Sequence, residues 1–278
     1  MSNFVPKIRI DLYMQSLKLI FSAFLVLCLA ACGSSADKGD KKATKVGPGM
    51  PINAESFPDV NLQKFFLAQG YGADGAITDQ EFESVTMLDL TGMQLQSLKG
   101  IERFPHLTVL KVTSNLLPEL VMPVIPTLEV LYCADCGMQR IDLKGCLQLR
   151  ELHCQENSLD SLIINEMPQL TLVEANNNRM KKVAFANCPQ LRSINLASNK
   201  LSAADLSQCS ALYDLDVTDN PLQIENVDVD AFVKNLPKAT ATPDSSSVHN
   251  APTIVGLDEG SLSNNNKKTL QLKGWTLK

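Results

Sequence analysis

The chain has 278 residues, 45% of them apolar and only 5% aromatic, with 25 Lys and Arg against 30 Asp and Glu for a net charge of −5. An acid excess without a basic stripe excludes a nucleic-acid binder, which needs cations to neutralise phosphates. Hydrophobicity this high offsets chain entropy and excludes disorder over most of the length. A globular or repeat protein with an aliphatic core remains.

Lys18 precedes an apolar run from Leu19 to Ala31 that stops at Cys32, followed by Gly33-Ser34-Ser35. The run is too short for a permanent transmembrane helix, and its small closing residues suit a signal peptidase. Leu29-Ala30-Ala31-Cys32 matches the bacterial lipobox, in which cleavage before the cysteine leaves a thiol that carries a diacylglycerol. Residues 1–31 therefore read as a lipoprotein signal peptide, starting at Met1 or Met14, with Cys32 as the lipid attachment residue. Residues 32–50 are small and charged and read as a flexible tether. The expected location is outside the inner membrane, lipid-anchored, at the outer membrane or cell surface.

Residues 51–84 read as an N-terminal cap. Asp59 can cap a helix carrying Leu62, Phe65 and Phe66. Gly70 to Glu81 lays onto an EF-hand calcium loop with Gly75 at its sixth place and Glu81 at its twelfth, but glycines hold the first and third places, where carboxylates belong. Thr78-x-x-Glu81 is also a helix capping box, which accounts for the glutamate without calcium. A degenerate loop with no metal is the expectation.

From Val85 to Asn226 the chain repeats. Segments start at Val85, Leu107, Leu128, Leu149, Leu170, Leu191 and Leu212, spaced by 21 residues after a first step of 22. Apolar residues return at the fourth and sixth places of each, and the ninth place reads Met93, Asn115, Cys136, Asn157, Asn178, Asn199, Asn220. This is L-x-x-L-x-L-x-x-N/C-x-L, the leucine-rich-repeat pattern. The alternation predicts a short strand per coil and a parallel sheet of seven strands, about 29 Å across. Asn115, Asn157, Asn178, Asn199 and Asn220 are expected to form a structural ladder, since the amide offers both donor and acceptor to buried backbone at the corner after each strand. A second apolar pair, as in Leu159-x-x-Leu162-x-Ile164, lines the far wall, where so short a coil leaves room only for extended or 3₁₀ segments. Residues 227–278 read as a C-terminal cap: a helix over Val229 to Leu236, a strand over Thr253 to Leu257, a turn at Asn264-Asn265-Asn266, and a closing segment that brings Trp275 to an edge. The fold class is α/β, mainly β: a right-handed solenoid with a parallel concave sheet, a small helical first cap and an α/β second cap.

Six of the eight cysteines, Cys133, Cys136, Cys146, Cys154, Cys188 and Cys209, fall in inward columns or at the Asn corner, which suits buried free thiols. Stacked disulfides such as Cys133–Cys154 and a metal set using Cys133, Cys136 and His153 are the alternatives. Geometry opposes the metal, because His153 points out of the sheet and Cys133 and Cys154 point in. The third and fifth places supply the concave face. Val109, Lys111, Val130, Tyr132, His153, Leu172 and Glu174 form an exposed cluster expected to bind a partner. Tyr213 and the acidic trio Asp214, Asp216 and Asp219 close that face. No nucleophile with a base, paired carboxylates or phosphate loop is recognisable, so no catalytic residues and no cofactor are expected. A binding lipoprotein is the reading; an accessory glycan-binding lipoprotein is the alternative, disfavoured by a face with one central Tyr and no Trp.

Three features together resemble the short-repeat leucine-rich surface lipoproteins of Bacteroidetes and, more distantly, internalin-like proteins with cysteine-bearing repeats. They are the L-x-C of Leu131-Tyr132-Cys133 and Leu152-His153-Cys154, the front cap from Phe57-Pro58-Asp59 through Asp74-Gly75 into Leu98-Lys99-Gly100-Ile101, and the closing Lys273-Gly274-Trp275-Thr276-Leu277. The resemblance implies a non-enzymatic surface lipoprotein that binds a host or bacterial surface protein.

Overall fold

The structure, a computed structural model, describes residues 49–222, 229–239 and 251–278. All lie in the second of two compact units, residues 46–278. The segment read as a signal peptide, Cys32 and nearly all of the segment read as a tether lie outside the described residues.

The first cap opens with β1 (Met50–Pro51), α1 (Val60–Ala68), β2 (Ala76–Ile77) and α2 (Asp79–Ser84), and β1 pairs antiparallel with β2. Asp59 caps α1 with Oδ1, accepting from the Asn61 and Leu62 amides, while its Oδ2 accepts from Gln96 N and Ser97 N at 2.7 and 3.2 Å. One carboxylate thus ties the cap to the first coil. The 70–81 loop keeps its turn at Gly75, whose φ is +91°. Glu81 Oε2 accepts from Thr78 N and Thr78 Oγ1, both at 2.8 Å, so the capping box occupies the residue that a calcium loop would use as ligand. The open end of the stack is plugged by aromatics: Phe66 packs on Phe57 and Phe104 with ring centroids at 4.7 and 5.4 Å, and Phe82 meets Phe104 edge-on at 4.9 Å. Gly100 has φ +107°, and a Cβ there would sit 2.3 Å from Phe57 Cδ1, so this packing needs glycine.

Seven coils follow: β3 (Met87–Asp89), β4 (Val109–Lys111), β5 (Glu119–Val121), β6 (Val130–Tyr132), β7 (Arg140–Asp142), β8 (Glu151–His153), β9 (Ser161–Asn165), β10 (Leu172–Glu174), β11 (Lys182–Ala186), β12 (Ser193–Asn195), β13 (Ala203–Asp205) and β14 (Asp214–Asp216). The second cap supplies α3 (Val229–Lys234), β15 (Thr253–Val255), α4 (Asn264–Lys273) and β16 (Thr276–Leu277). One parallel sheet runs β16-β15-β14-β12-β10-β8-β6-β4-β3, with each strand paired in register at places three to five. The fourth- and sixth-place residues, from Leu88 and Leu90 to Leu215 and Val217, are all buried. The far wall is extended, in the parallel sheets β5-β7 and β9-β11-β13.

The second cap departs from expectation. The main sheet has nine strands, not seven: β15 and β16 continue it past β14, which keeps the last coil's backbone edge paired. Asn264-Asn265-Asn266 is the first turn of α4 rather than a turn between elements. Ser263 Oγ accepts from Asn266 N, and the buried Asn266 side chain donates to Asp230 Oδ1 at 2.7 Å, so polar residues that look like a loop are a capped helix start. Trp275 directly precedes β16, the edge strand, but is not exposed there. It is buried at 4% exposure and its indole donates to Pro237 O at 2.9 Å, leaving β16 as the edge.

The ninth-place amides form the ladder. Asn178 Nδ2 donates to Ala175 O in its own coil and to Cys154 O in the coil before, each at 3.1 Å, and its Oδ1 accepts from Leu159 N at 3.0 Å. Asn115, Asn157, Asn199 and Asn220 repeat the pattern, bridging the sixth-place carbonyls of two coils and accepting from the eleventh-place amide of the earlier one. Asn115, Asn157, Asn178 and Asn199 are buried; Asn220, next to the end, is half-buried. Cys136 does half this work. Its thiol donates to Val112 O at 3.0 Å, but with no amide oxygen to accept, Leu117 N bonds Cys136 O instead. Replacing Asn178 by Ala leaves buried backbone groups of two coils unpaired, and urea unfolding is expected to show a loss of about 3 kcal/mol or more. Cys136→Ala should cost clearly less. Equal losses would mean that the ladder is not the dominant tie.

Candidate functional surface

Side chains at places three and five project from the main sheet opposite the core, and parallel in-register pairing sets equivalent places about 4.8 Å apart. At that spacing each side chain touches its neighbour. The fifth place makes a continuous row. Lys111 Nζ lies 3.8 Å from Asp89 Oδ2 and 5.7 Å from the Tyr132 ring centroid. The Tyr132 and His153 rings stack at 4.4 Å with 15° between their planes. His153 Nε2 stands 3.4 Å from Glu151 Oε2, a third-place residue, and Glu174 Oε2 accepts from Asn195 Nδ2 at 2.9 Å.

The row has an electrostatic gradient. The His153 hydrogen bond holds the Glu151 carboxyl below the usual range, helped by the charge of Arg150. Burial pushes the Glu174 carboxyl up and the charge of Asp216 adds to this, while the Asn195 bond and His153 oppose it. Asp216 Oδ1 accepts from Thr218 N and Thr218 Oγ1 at 2.9 and 2.6 Å.

The seven residues expected at the partner surface, Val109, Lys111, Val130, Tyr132, His153, Leu172 and Glu174, are adjacent on one face, spread over β4, β6, β8 and β10. They are half-buried, not the exposed cluster expected from sequence, because each is walled in by the strands on both sides. Two residues read as surface are interior: Tyr213 is fully buried and Asp214 is 8% exposed. The Arg192 guanidinium lies 5.6 Å from the Tyr213 ring centroid. Period-two reasoning missed a second regularity. The eighth place of every coil, Gly92, Ser114, Asp135, Glu156, Asn177, Ser198 and Asp219, has φ between +51° and +69°, a left-handed corner that turns the chain out of the sheet. The small and acidic residues of that column are its faint sequence signal.

No family model matches the chain, and no curated protein does. Among solved structures it is similar to the functional domain of InlJ from Listeria monocytogenes, which includes a cysteine ladder, at 20% identity and TM-score 0.49 over 78% of this chain and 56% of that one. It is also similar to YopM from Yersinia enterocolitica, at 24% identity and TM-score 0.46 over 62% of this chain and 33% of that one, and to the internalin InlF from Listeria monocytogenes, at 18% identity and TM-score 0.37 over 62% and 72%. The chain thus spans about half of the InlJ chain and a third of the YopM chain. The in-register coils and their Asn ladder decide the architecture. The fold is a leucine-rich-repeat solenoid.

Inside the solenoid the six cysteines of the repeats are free and buried. Cys133 and Cys154 face the core while His153, next to Cys154 at the end of β8, faces out, so the C-x-x-C and the histidine stand on opposite sides of the sheet. Burial pushes the thiols up, to about 11 at Cys146 and about 12 at Cys154 and Cys209. At pH 8 they are protonated and covered, so a disulfide reagent such as DTNB should label none of the six before unfolding and all six after it. Rapid labelling of any one in the native protein contradicts the burial. A raised thiol pKa favours the fold while unfolded thiols keep their protons, below about 8.5. Stability should fall as pH rises from there towards 12.

Proposed function

We propose that the protein is an exported, lipid-anchored, non-enzymatic binding protein whose main sheet docks a protein partner. The observation that carries this is the fifth-place row: a stacked Tyr132–His153 pair fixed between Lys111 and Glu174 and bordered by Val109, Val130 and Leu172. Side chains already held by their neighbours lose little freedom on docking, and aromatic groups with apolar flanks are the usual anchors of protein interfaces. The polar groups of the row are engaged with one another, which suits contact better than turnover.

The glycan reading lacks an observation in its favour. A sugar stacks on an open ring face, whereas His153 covers one face of Tyr132 and Lys111 lies over the other. Anchoring rests on the lipobox before Cys32, and a diacylglycerol with a further acyl chain supplies buried methylenes worth about 0.8 kcal/mol each. The host or bacterial surface as the site of the partner follows from the resemblance and the export signal.

Two measurements test this reading. Cys32→Ala in the full chain should shift the protein from the detergent phase to the aqueous phase on partition; unchanged partition rules out the anchor. Affinity capture from surface-protein extracts should retain at least one protein that the double variant Tyr132→Ala, Leu172→Ala loses by tenfold or more. Retention of the same proteins by wild type and variant places binding elsewhere, and glycan-array binding lost with Tyr132→Ala favours the sugar reading.

A further inference from the structure

We infer that the far wall of coils two to four lies against a lipid bilayer, with the exposed side chains of Val121, Val124, Leu147 and Ile163 set at the boundary of headgroups and acyl chains. The inference rests on the Cys32 anchor of the reading above and goes beyond it by adding a second membrane contact, made by the fold itself.

Four of the nine large apolar side chains left exposed among the described residues meet on this wall, each between 50% and 71% exposed. Val121 of β5 pairs in register with Asp142 of β7, and Asp142 and Ile163 line one cleft between β7 and β9. Val124 and Leu147 continue the patch past the strand ends, where Gly145 packs so close that a Cβ on it would fall 2.7 Å from Val124 Cα. The carboxylate inside the patch, Asp142, is paired with Lys144 Nζ at 3.3 Å, and exposed Glu119 and Arg140 stand opposite each other on β5 and β7, so the charges of this wall offset one another. Strand propensity accounts for Val121 and Ile163 but not for the other two, which lie outside strands. Leu147 stands in the column that Pro126, Pro168 and Pro189 fill in neighbouring coils. In coils five and six the places of Val121 and Val124 carry Ala184, Asn187, Asp205 and Gln208 instead. The apolar patch is therefore confined to the part of the wall nearer the end where the chain enters the fold.

The chain ahead of the fold decides what covers this patch. Cys32 stands 17 positions before Gly49, where the described residues begin. A chain of that length reaches at most about 60 Å when fully extended. As the flexible tether read from its composition, it has a root-mean-square span of about 20 to 25 Å, roughly the rise of five coils. With Cys32 held in the bilayer, the first coils stay within a molecular diameter of lipid at an effective concentration of order millimolar, so a face too weak to bind membranes on its own is retained there. No soluble partner has that advantage. Val, Ile and Leu side chains leave water for the acyl boundary, while the Lys144 side chain, 91% exposed, extends its ammonium to headgroup phosphates. Among the described residues no helix is long and apolar enough to cross a membrane, so the contact is peripheral. The main sheet, on the opposite side of each coil, is left open to a partner approaching from outside.

The test reconstitutes the full acylated chain in phosphatidylcholine vesicles and puts a fluorophore on one introduced thiol, Val124→Cys or Ile163→Cys, with Met87→Cys on the concave rim as the control. The six core thiols are buried and do not compete for label. Labels at positions 124 and 163 should be quenched by phospholipid brominated near its headgroup and be shielded roughly threefold or more from aqueous iodide, relative to the label at 87. The pair Val121→Glu, Ile163→Glu, with an unchanged melting temperature as its folding control, should open a label on Leu147→Cys to iodide by a similar factor. Labels at 124 and 163 as open to iodide as the one at 87, equal lipid quenching at all three, or indifference to the glutamate pair overturns the inference, while flotation with the vesicles leaves the anchor standing. A chain that does not float with the vesicles overturns both. Shielding from iodide without quenching by the brominated lipid means that protein, a second copy included, covers the wall, and overturns the lipid assignment.

Discussion

Each coil leaves its strand through a corner that lies over the dry core, and backbone groups at that corner need partners that no regular ladder provides. Place nine answers that requirement. An asparagine there donates to the sixth-place carbonyls of its own and the preceding coil, and accepts from the eleventh-place amide of the preceding coil. The spacing of the coils, the register of the seven repeat strands and the alignment of the fifth-place row all follow from this one bonded corner. Cys136 shows its tolerance: where the side chain supplies only a donor, the backbone closes the remaining bond itself.

The solenoid was largely legible in the amino-acid pattern because its physics is periodic. Columns at places four, six and nine repeat often enough that one atypical residue, such as Met93, does not hide them, and strands fell at places three to five of every coil. The caps are not periodic, and there reading from composition failed. Asn264 to Asn266 look like a loop until Ser263 is seen to cap a helix and Asn266 to reach Asp230. Thr276–Leu277 is too short a strand to be recognised alone, and becomes one only because Thr253–Val255 lies beside it.

Alternation placed Val109, Lys111, Val130, Tyr132, His153, Leu172 and Glu174 on one face of the sheet, but it gave neither their half-burial nor the interior position of Asp214. Alternation identifies which side chains leave the core, but exposure depends on what stands on the neighbouring strands. Val109, Val130 and Leu172 are half-buried because Glu151, Ser193 and their like crowd the same face, and Asp214 and Tyr213 are taken inside by β15 and the second cap. The stacking of Tyr132 on His153 likewise needs the in-register pairing of β6 with β8, which sequence spacing implies but does not orient.

The ladder also gives the stack a direction. Every asparagine serves the coil that precedes it, so each coil is completed by its successor and owes nothing of this kind to its predecessor. Loss of a coil from the carboxyl end strips the one before it of both a donor and an acceptor, whereas loss from the amino end costs the survivor only a side chain that can turn to water. The two ends are not equivalent, and it is the trailing end, where β15, β16 and the buried Trp275 are gathered, that the molecule has had to finish with the more elaborate closure.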